Sequence, residues 1–526
     1  MALAKILTLC EFKVYYRFLI LSKLNPFFVQ LFYFMSISSL GFFVLLALKP
    51  RSAADSFRPR NLDLFFTSIS AATVSSMLTV EMEVLSNSQL LILALLMFTG
   101  GEVFTSMFGL FIKQFTLKKS QRKVASVNSD VLSSPNPSCN LEETELSTIV
   151  IVPPQNGKID HESFDLWYLK YSSIKYLAYV VLGYLLIVHI FGITMVFLYL
   201  IIITSAREVL NNKDLKLLTF SIFTTVSTFA SCGFIPTNEN MMIFSKNSGL
   251  LLILIPQVLL GNTLFPSFLR FSIWVLGKLN VKKEESNYLL MKSWEIKYLH
   301  LLPSLHSSLL VPSVFGFILV QFILFGSMEW SSEALSGLNS YQKIIGSLFQ
   351  CVNTRHTGET IVDLSIISPA ILVLFVVMMY LPPYTSFLPI KDDEDHVRDP
   401  EITSKIMRSK KMGNKYMENY IFSQLSYLAI FIILVCITER RRIKEDPLNF
   451  SVLNIAIEVI SAYGNVGFTT GYSCKRQINP SDHCQDKWYG FAGRWSDEGK
   501  IILIVVMLFG RLKKFNMSGG KAWKLL

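Results

Sequence analysis

The chain has 526 residues, of which 51% are hydrophobic and only 17% carry a charged side chain. Soluble domains carry about 25% charged residues, so this composition excludes a soluble globular protein and indicates several membrane spans. The net charge of +11 comes from basic residues that cluster at the ends of apolar segments. A position beside the membrane explains that charge, and nucleic acid is not a predicted partner.

Apolar windows long enough to cross about 30 Å of hydrocarbon occur repeatedly along the chain. They lie at residues 27–49, 88–116, 174–206, 248–278, 307–330, 363–386, 419–438 and 498–515. Four shorter segments lie between the members of successive pairs, at 62–75, 216–229, 341–353 and 450–463. The chain therefore predicts an all-α polytopic membrane protein with an internal fourfold repeat of span, half-helix, turn and span.

The repeats are predicted to be joined by polar segments. We expect an N-terminal segment 1–26, repeat A 27–116, a linker 117–172, repeat B 173–279, a loop 280–306, repeat C 307–388, a linker 389–418 and repeat D 419–526. Basic runs place both linkers in the cytoplasm, and an even number of spans then places both termini there. Arg440, Arg441 and Arg442 fall on the outer side and depart from the rule.

Each half-helix runs into a tight turn, and the turns centre on Ser76, Gly233, Gly358 and Gly467. Irregular backbone at membrane depth is tolerated only where protein buries it or where it lines water. Four such turns therefore predict a shared aqueous path. The alternative is four amphipathic surface helices, which the small and hydroxyl-bearing residues of these segments disfavour.

Converging half-helices suit a cation pathway. Carbonyl groups at their partly negative C-terminal ends can replace the hydration shell of a cation. Glycine allows positive φ at such a turn, whereas Ser76 restricts the backbone and narrows the ring, which favours sodium over the larger potassium ion. The alternative is that Ser76 is only a turn-forming residue. The neighbours predicted to flank the ring are Val74, Ser75, Cys232, Thr357 and Val466.

Polar residues also lie near the turns. The acidic ones are candidates for enriching cations at a pore mouth or for holding its geometry through ion pairs, with Arg355 as a candidate partner. They are Glu81, Glu83, Glu239 and Glu359, and the neutral Asn238 lies beside them. In the fourth span, Pro256, Gly261, Asn262 and Pro266 predict an interrupted helix.

The predicted external side carries two further candidates. Cys474 and Cys484 share one predicted external loop, where a disulfide is chemically permitted, and the unpaired state is equally consistent with the sequence. Asn449 with Ser451 forms a sequon on the same predicted side and is a candidate glycosylation site.

Five stretches resemble the plant high-affinity potassium transporter (HKT) family, within the Trk/Ktr/HKT superfamily. They read TVSSMLTVEMEVLSNSQL, SCGFIPTNENM, NTRHTGE, YGNVGFTTGYSCKRQ and MLFGRLKKFNM, in this order along the chain. The resemblance implies four M1-P-M2 repeats (helix, pore half-helix, helix) around a central pseudo-fourfold pore, a plasma-membrane location and a homodimer.

Carried over residue by residue, the resemblance implies a selectivity filter that holds the sodium ion and consists of Ser76, Gly233, Gly358 and Gly467. Class I members of the family carry Ser-Gly-Gly-Gly there and are mainly sodium-selective, while class II members typically have four glycines and also carry potassium.

Arg511 lies in the last span, where an arginine costs several kcal/mol unless it meets water or a partner. One reading is that it snorkels to the cytoplasmic face, because Lys513 and Lys514 follow immediately and that face is near. The resemblance implies instead that it lies just below the filter and raises a barrier to permeating cations.

The sequence thus favours passive, channel-like sodium transport that contributes to sodium homeostasis and salt tolerance. The alternative is a sodium/potassium symporter or a potassium-permeable transporter. No enzyme motif is evident, and no cofactor is predicted beyond the transported ion. A receptor or scaffold would predict no cation current.

Overall fold

The computed structural model describes residues 26–51, 59–131, 161–385, 424–478 and 484–516. Within these ranges all longer regular elements are helices, which confirms the all-α class. The helices are α1 Pro26–Ala47, α2 Asn61–Ala72, α3 Asn87–Gly100, α4 Glu102–Val131, α5 His161–Ile202, α6 Thr204–Asn212, α7 Leu217–Phe229, α8 Ser248–Gly261, α9 Phe265–Lys278, α10 Lys283–Met291, α11 Ser293–Ile296, α12 Ser304–Glu329, α13 Ser340–Asn353, α14 Pro369–Tyr380, α15 Gln424–Thr438, α16 Arg440–Glu445, α17 Val452–Gly464 and α18 Asp497–Asn516.

Three of these helices are long and apolar enough to cross a membrane by themselves, namely Phe27–Ala47, Leu166–Ile202 and Ser304–Glu329. Two more spans result if α3 with α4 and α8 with α9 each count as one interrupted crossing. The second interruption agrees with the sequence at Gly261, Asn262 and Pro266, whereas Pro256 lies inside α8 and does not end it.

The four predicted half-helices are α2, α7, α13 and α17, and each begins within two residues of its predicted start. They are buried around most of their circumference. In α7, for example, Thr224, Thr225 and Ser227 are fully buried together with Phe220 and Phe223. A helix whose hydroxyl groups lie inside protein is not an amphipathic surface helix, so the pore-helix interpretation is favoured.

The described chain forms two compact units, and the larger comprises the described parts of 26–102, 187–265 and 308–516. The smaller unit comprises the described parts of 103–186 and 266–307. All four half-helices belong to the larger unit, as do all contacts of the candidate site below.

In the larger unit, each repeat packs on the next one through the same pair of helices. The helix after each turn packs on the half-helix of the next repeat: α3 on α7, α8 on α13, α14 on α17, and α18 on α2. The last contact joins the end of the described chain to its beginning, so the four repeats close into a ring. This closure positions the four turns around one axis.

Candidate ion pathway

The turns of repeats B, C and D approach one another through their backbones. A Cβ atom placed on Gly233 would lie 1.5 Å from the carbonyl oxygen of Thr357. A Cβ atom on Gly358 would lie 2.2 Å from the carbonyl oxygen of Val466. Because these neighbours are main-chain atoms that no rotamer change can move, both positions require glycine.

The turns of repeats D and A meet differently, since the neighbour there is a side chain. A Cβ atom on Gly467 would lie 2.2 Å from Cβ and 2.8 Å from Oγ of Ser76. The thiol of Cys232 in turn has the backbone of Ser76 as a hydrogen-bonding neighbour. Each turn therefore contacts the next, and the four predicted filter residues lie together in a closed ring.

The four ring residues share one unusual feature of backbone conformation. All four have positive φ angles: Ser76 54°, Gly233 87°, Gly358 69° and Gly467 102°. In three repeats the residue two positions earlier also has a positive φ angle: Val74 51°, Ser231 59° and Asn465 51°. Each turn directly follows the C-terminal end of a half-helix, where unpaired carbonyl groups carry partial negative charge.

Ser76 is the ring residue whose side chain extends beyond Cα, and it is buried, with 6% exposure. Its hydroxymethyl group occupies the space that Gly467 leaves empty, so it lies between two neighbouring turns of the ring. A non-glycine residue in this backbone region is strained, and such strain persists only where the surroundings hold it. The packing of repeat D against repeat A therefore accommodates a side chain at position 76 because position 467 is glycine.

Asn465 holds this pair of turns together, and the sequence analysis missed it. Its Nδ2 donates to Ser75 Oγ at 2.7 Å and to the carbonyl oxygen of Met507 in α18 at 3.2 Å. Ser75 Oγ also shares a hydrogen bond with Thr73 Oγ1 at 2.8 Å. An asparagine two residues before the glycine of the repeat D turn was the available signal, because asparagine tolerates the left-handed region that such a turn can require.

The helices that follow the turns contain a second set of close contacts. A Cβ atom at each of three glycines would lie far inside the contact distance of a half-helix carbonyl oxygen: Gly100 to Ala72 1.9 Å, Gly261 to Phe229 2.0 Å and Gly510 to Tyr463 2.1 Å. The residues that follow these glycines, Gly101, Asn262 and Arg511, therefore occupy matching positions in three repeats.

Arg511 is buried at this level, with 1% exposure, and does not snorkel. Its guanidinium donates to the carbonyl oxygen of Gly100, and Nη1 lies 4.0 Å from Glu102 Oε2. The guanidinium carbon lies 5.7 Å from the centre of the Phe34 ring. The positive charge is thus held against repeat A, next to the base of its half-helix.

Comparison with known proteins identifies the family. The sequence profile described as TrkH, cation transport protein, matches residues 168–518, more than half of the chain. The chain belongs to this family. It is therefore an integral membrane cation transporter and not an enzyme.

Curated plant relatives extend the match to nearly the whole chain. The chain is 48% identical to "Cation transporter HKT1;3" of Oryza sativa subsp. japonica over 97% of its length and 93% of the relative. It is 50% identical to "Sodium transporter HKT1" of Arabidopsis thaliana over 91% of its length and 90% of the relative. These matches confirm the HKT resemblance. Among solved structures, the potassium transporter TrkH from Vibrio parahaemolyticus aligns with a TM-score of 0.45 at 15% identity, covering 94% of this chain and 84% of that one.

The acidic residues of this transporter divide into a partly exposed group and a buried group. Lys213 Nζ lies 2.5 Å from Glu83 Oε1 and 2.6 Å from Glu239 Oε2. Glu81 is contacted by repeat D, where the Trp488 backbone N–H donates to its Oε1 at 3.3 Å. The sequence analysis missed Lys213, since a lone lysine in a polar segment has no local signal for a partner.

Glu359 differs from the partly exposed acidic residues because it is completely buried beside the ring. Its Oε1 accepts a hydrogen bond from Thr228 Oγ1 at the end of the neighbouring half-helix. The expected partnership of Arg355 with an acidic residue is wrong for the part of the chain that the structure describes. Arg355 instead donates to the carbonyl oxygen of Pro382 and lies over the Phe317 ring at 5.0 Å.

The candidate disulfide and the candidate glycosylation site have different outcomes. Cys474 and Cys484 form a disulfide, with their Cα atoms 5.9 Å apart. Asn449 is fully buried, and its Nδ2 donates to Asp446 Oδ2 at 2.9 Å and to the carbonyl oxygen of Ser473 at 3.0 Å. A glycan on that nitrogen is incompatible with both hydrogen bonds, so Asn449 is not retained as a glycosylation site.

Proposed function

We propose that the protein is a passive, channel-like sodium uniporter that favours sodium over potassium at the ring of Ser76, Gly233, Gly358 and Gly467. The observation that carries the proposal is the contact between the Ser76 hydroxymethyl group and Gly467 in a ring that is otherwise glycine. The name of the Arabidopsis relative, a sodium transporter at 50% identity, supports it.

Selectivity follows from dehydration at the ring. Backbone carbonyl groups at the C-terminal ends of the half-helices would replace the hydration shell of the ion. The side chain of Ser76 ties the spacing of turns A and D to a fixed contact, so the ring has less freedom to widen for potassium. Sodium, the smaller ion, then loses less stabilisation on entry.

Other residues would set the flux through this ring and support its shape. Arg511 would place a positive charge just below the ring, where it raises the barrier to each cation. Val74, Ser75, Cys232, Thr357 and Val466 would hold the ring residues in place, and Glu81, Asn238, Glu239 and Glu359 would set the geometry and charge of the pore and its mouth.

The cellular arrangement is part of the same proposal. The transporter would lie in the plasma membrane as a homodimer, with both termini, linkers 117–172 and 389–418, and loop 280–306 in the cytoplasm. Repeats A 27–116, B 173–279, C 307–388 and D 419–526 would surround one pore in each subunit. Its role would be sodium homeostasis and tolerance of salt.

The test at the ring is Ser76→Gly, expressed in oocytes and recorded under two-electrode voltage clamp. Removing the side chain should raise the potassium to sodium permeability ratio by about tenfold, which corresponds to about 1.4 kcal/mol of differential ion stabilisation. An unchanged ratio at normal surface expression would remove Ser76 from the mechanism. A sodium/potassium symporter is distinguished by a wild-type reversal potential that follows external potassium at fixed sodium.

A further inference from the structure

Lys213 joins two repeats at the outer side of the ring. It lies between α6 and α7, just before the half-helix of repeat B. Its ammonium group lies between two carboxylates, at 2.5 Å from Glu83 Oε1 and 2.6 Å from Glu239 Oε2. Glu83 belongs to the segment that leaves the ring at Ser76, and Glu239 belongs to the segment that leaves it at Gly233.

Hydrogen bonds from backbone N–H groups to side-chain oxygens connect the same two segments. We call these segments outer segment A (77–84) and outer segment B (234–240). The Asn238 backbone N–H donates to Glu83 Oε1 at 2.9 Å, and the Glu83 backbone N–H donates to Asn238 Oδ1 at 3.0 Å. Arg51 extends the link, because its Nη1 donates to the carbonyl oxygen of Lys213 at 2.8 Å.

The charges of this cluster are partly shielded from water. The side chains of Lys213, Glu83 and Glu239 are 13%, 24% and 25% exposed. Without the ammonium group, two carboxylates near one another would repel, and Glu83 would keep only its contacts with Asn238. Only these contacts with Asn238 would then oppose the repulsion between the two outer segments, and each segment leads directly into a ring residue.

We propose that Lys213 is a positioning residue that sets ion selectivity by holding outer segments A and B together beside the ring. The inference rests on the proposed function, since it deepens the role of the ring that Ser76 and Gly233 form. It assigns to Lys213 a task that a solvated surface lysine does not have. The ion itself does not need to contact Lys213.

The experiment compares Lys213→Met with the conservative Lys213→Arg and with Lys216→Met. Lys216 is exposed and lies three residues away, so its substitution removes the same charge from the same region. We expect Lys213→Met to change the potassium to sodium permeability ratio by about threefold, which is within the range for the loss of one partly shielded ion pair. Lys213→Arg and Lys216→Met should keep the wild-type ratio.

A charge-balanced variant separates positioning from electrostatic attraction at the mouth. The variant Lys213→Met with Glu239→Gln removes one positive and one negative charge, so it keeps the net charge of the wild type. If Lys213 acts only through local charge, this variant recovers the wild-type ratio, and the proposal is overturned. If Lys213 positions the segments, the ratio stays changed while the apparent affinity for external sodium returns toward wild type.

The test of Lys213 can fail or succeed independently of the test of sodium selectivity in the wild type. A wild-type protein that does not favour sodium contradicts the proposed function, whereas the Lys213 effect is scored as a change from whatever ratio the wild type has. An unchanged ratio in Lys213→Met at normal surface expression overturns the proposal for Lys213. Should that variant not reach the surface, Glu239→Gln leaves Lys213 with Glu83 alone, and an unchanged ratio there counts equally against it.

Discussion

Replacing Gly467 by alanine tests the packing of the ring directly. The new Cβ would lie 2.2 Å from Ser76 Cβ, far inside the contact distance of two carbon atoms, and the backbone has φ of +102°. Positive φ costs a non-glycine residue about 1–2 kcal/mol, and overpacking costs about 1–3 kcal/mol more. Gly467→Ala should therefore lose about 2–5 kcal/mol of stability and most of its cation current.

The structure predicts which second substitution restores function. In Ser76→Gly with Gly467→Ala, both close atoms disappear, and the nearest remaining neighbour is the Ser75 carbonyl oxygen at 3.2 Å. The double variant should regain the stability lost to steric overlap, about 1–3 kcal/mol, but not the stability lost to the positive φ angle of alanine. Ser76→Gly should give no such rescue of Gly233→Ala, since the obstacle there is the Thr357 carbonyl oxygen at 1.5 Å.

The assay is the thermal midpoint of the detergent-solubilised protein, paired with surface expression and current in oocytes. Gly471→Ala is the matched control, because Gly471 has a φ of +60° and no atom within 4 Å of the new Cβ, so it reports the backbone strain alone. Equal rescue of Gly467→Ala and Gly233→Ala by Ser76→Gly, or rescue of neither, would refute the assigned packing of repeat A against repeat D.

Three further variants test other parts of the molecule. Arg511→Gln should increase single-channel conductance with little change in selectivity, whereas a fall in current at normal surface expression would favour a structural role. Lys500→Met removes the partner 2.7 Å from the buried Asp63, which keeps Arg60 Nε at 3.1 Å, and should lower the free energy of unfolding by about 1–3 kcal/mol, measured as a lower thermal midpoint. Cys474→Ser should yield one more thiol at Cys484 that reacts with a membrane-impermeant maleimide from outside, and equal labelling of wild type would contradict the disulfide.

The half-helices were predictable because length and composition identify them locally. A dozen small and apolar residues before a Gly-containing turn are too few to cross a bilayer, and this pattern occurs before Gly233, Gly358 and Gly467. The serine in repeat A was found by the same alignment of repeats. Such local signals place the turns along the chain but do not show which turns touch.

Contacts between residues far apart in the sequence could not be predicted from local sequence patterns. Asn465 and Ser75 are 390 residues apart, and Lys213 and Glu83 are 130 residues apart. Neither Asn465 nor Lys213 lies in a pattern that names its partner. Arg511 was open to two interpretations, since the lysines that follow it favour snorkelling and only the fold shows that it meets Gly100 and Glu102.

The most direct test uses purified wild-type protein in liposomes under bi-ionic conditions, with sodium on one side and potassium on the other. With the two ions at equal concentration, a ring narrowed by Ser76 predicts a cation current whose reversal potential is displaced from zero and makes the sodium side negative. A reversal potential of zero, which means equal permeability, or one that makes the sodium side positive would contradict sodium selection at the ring.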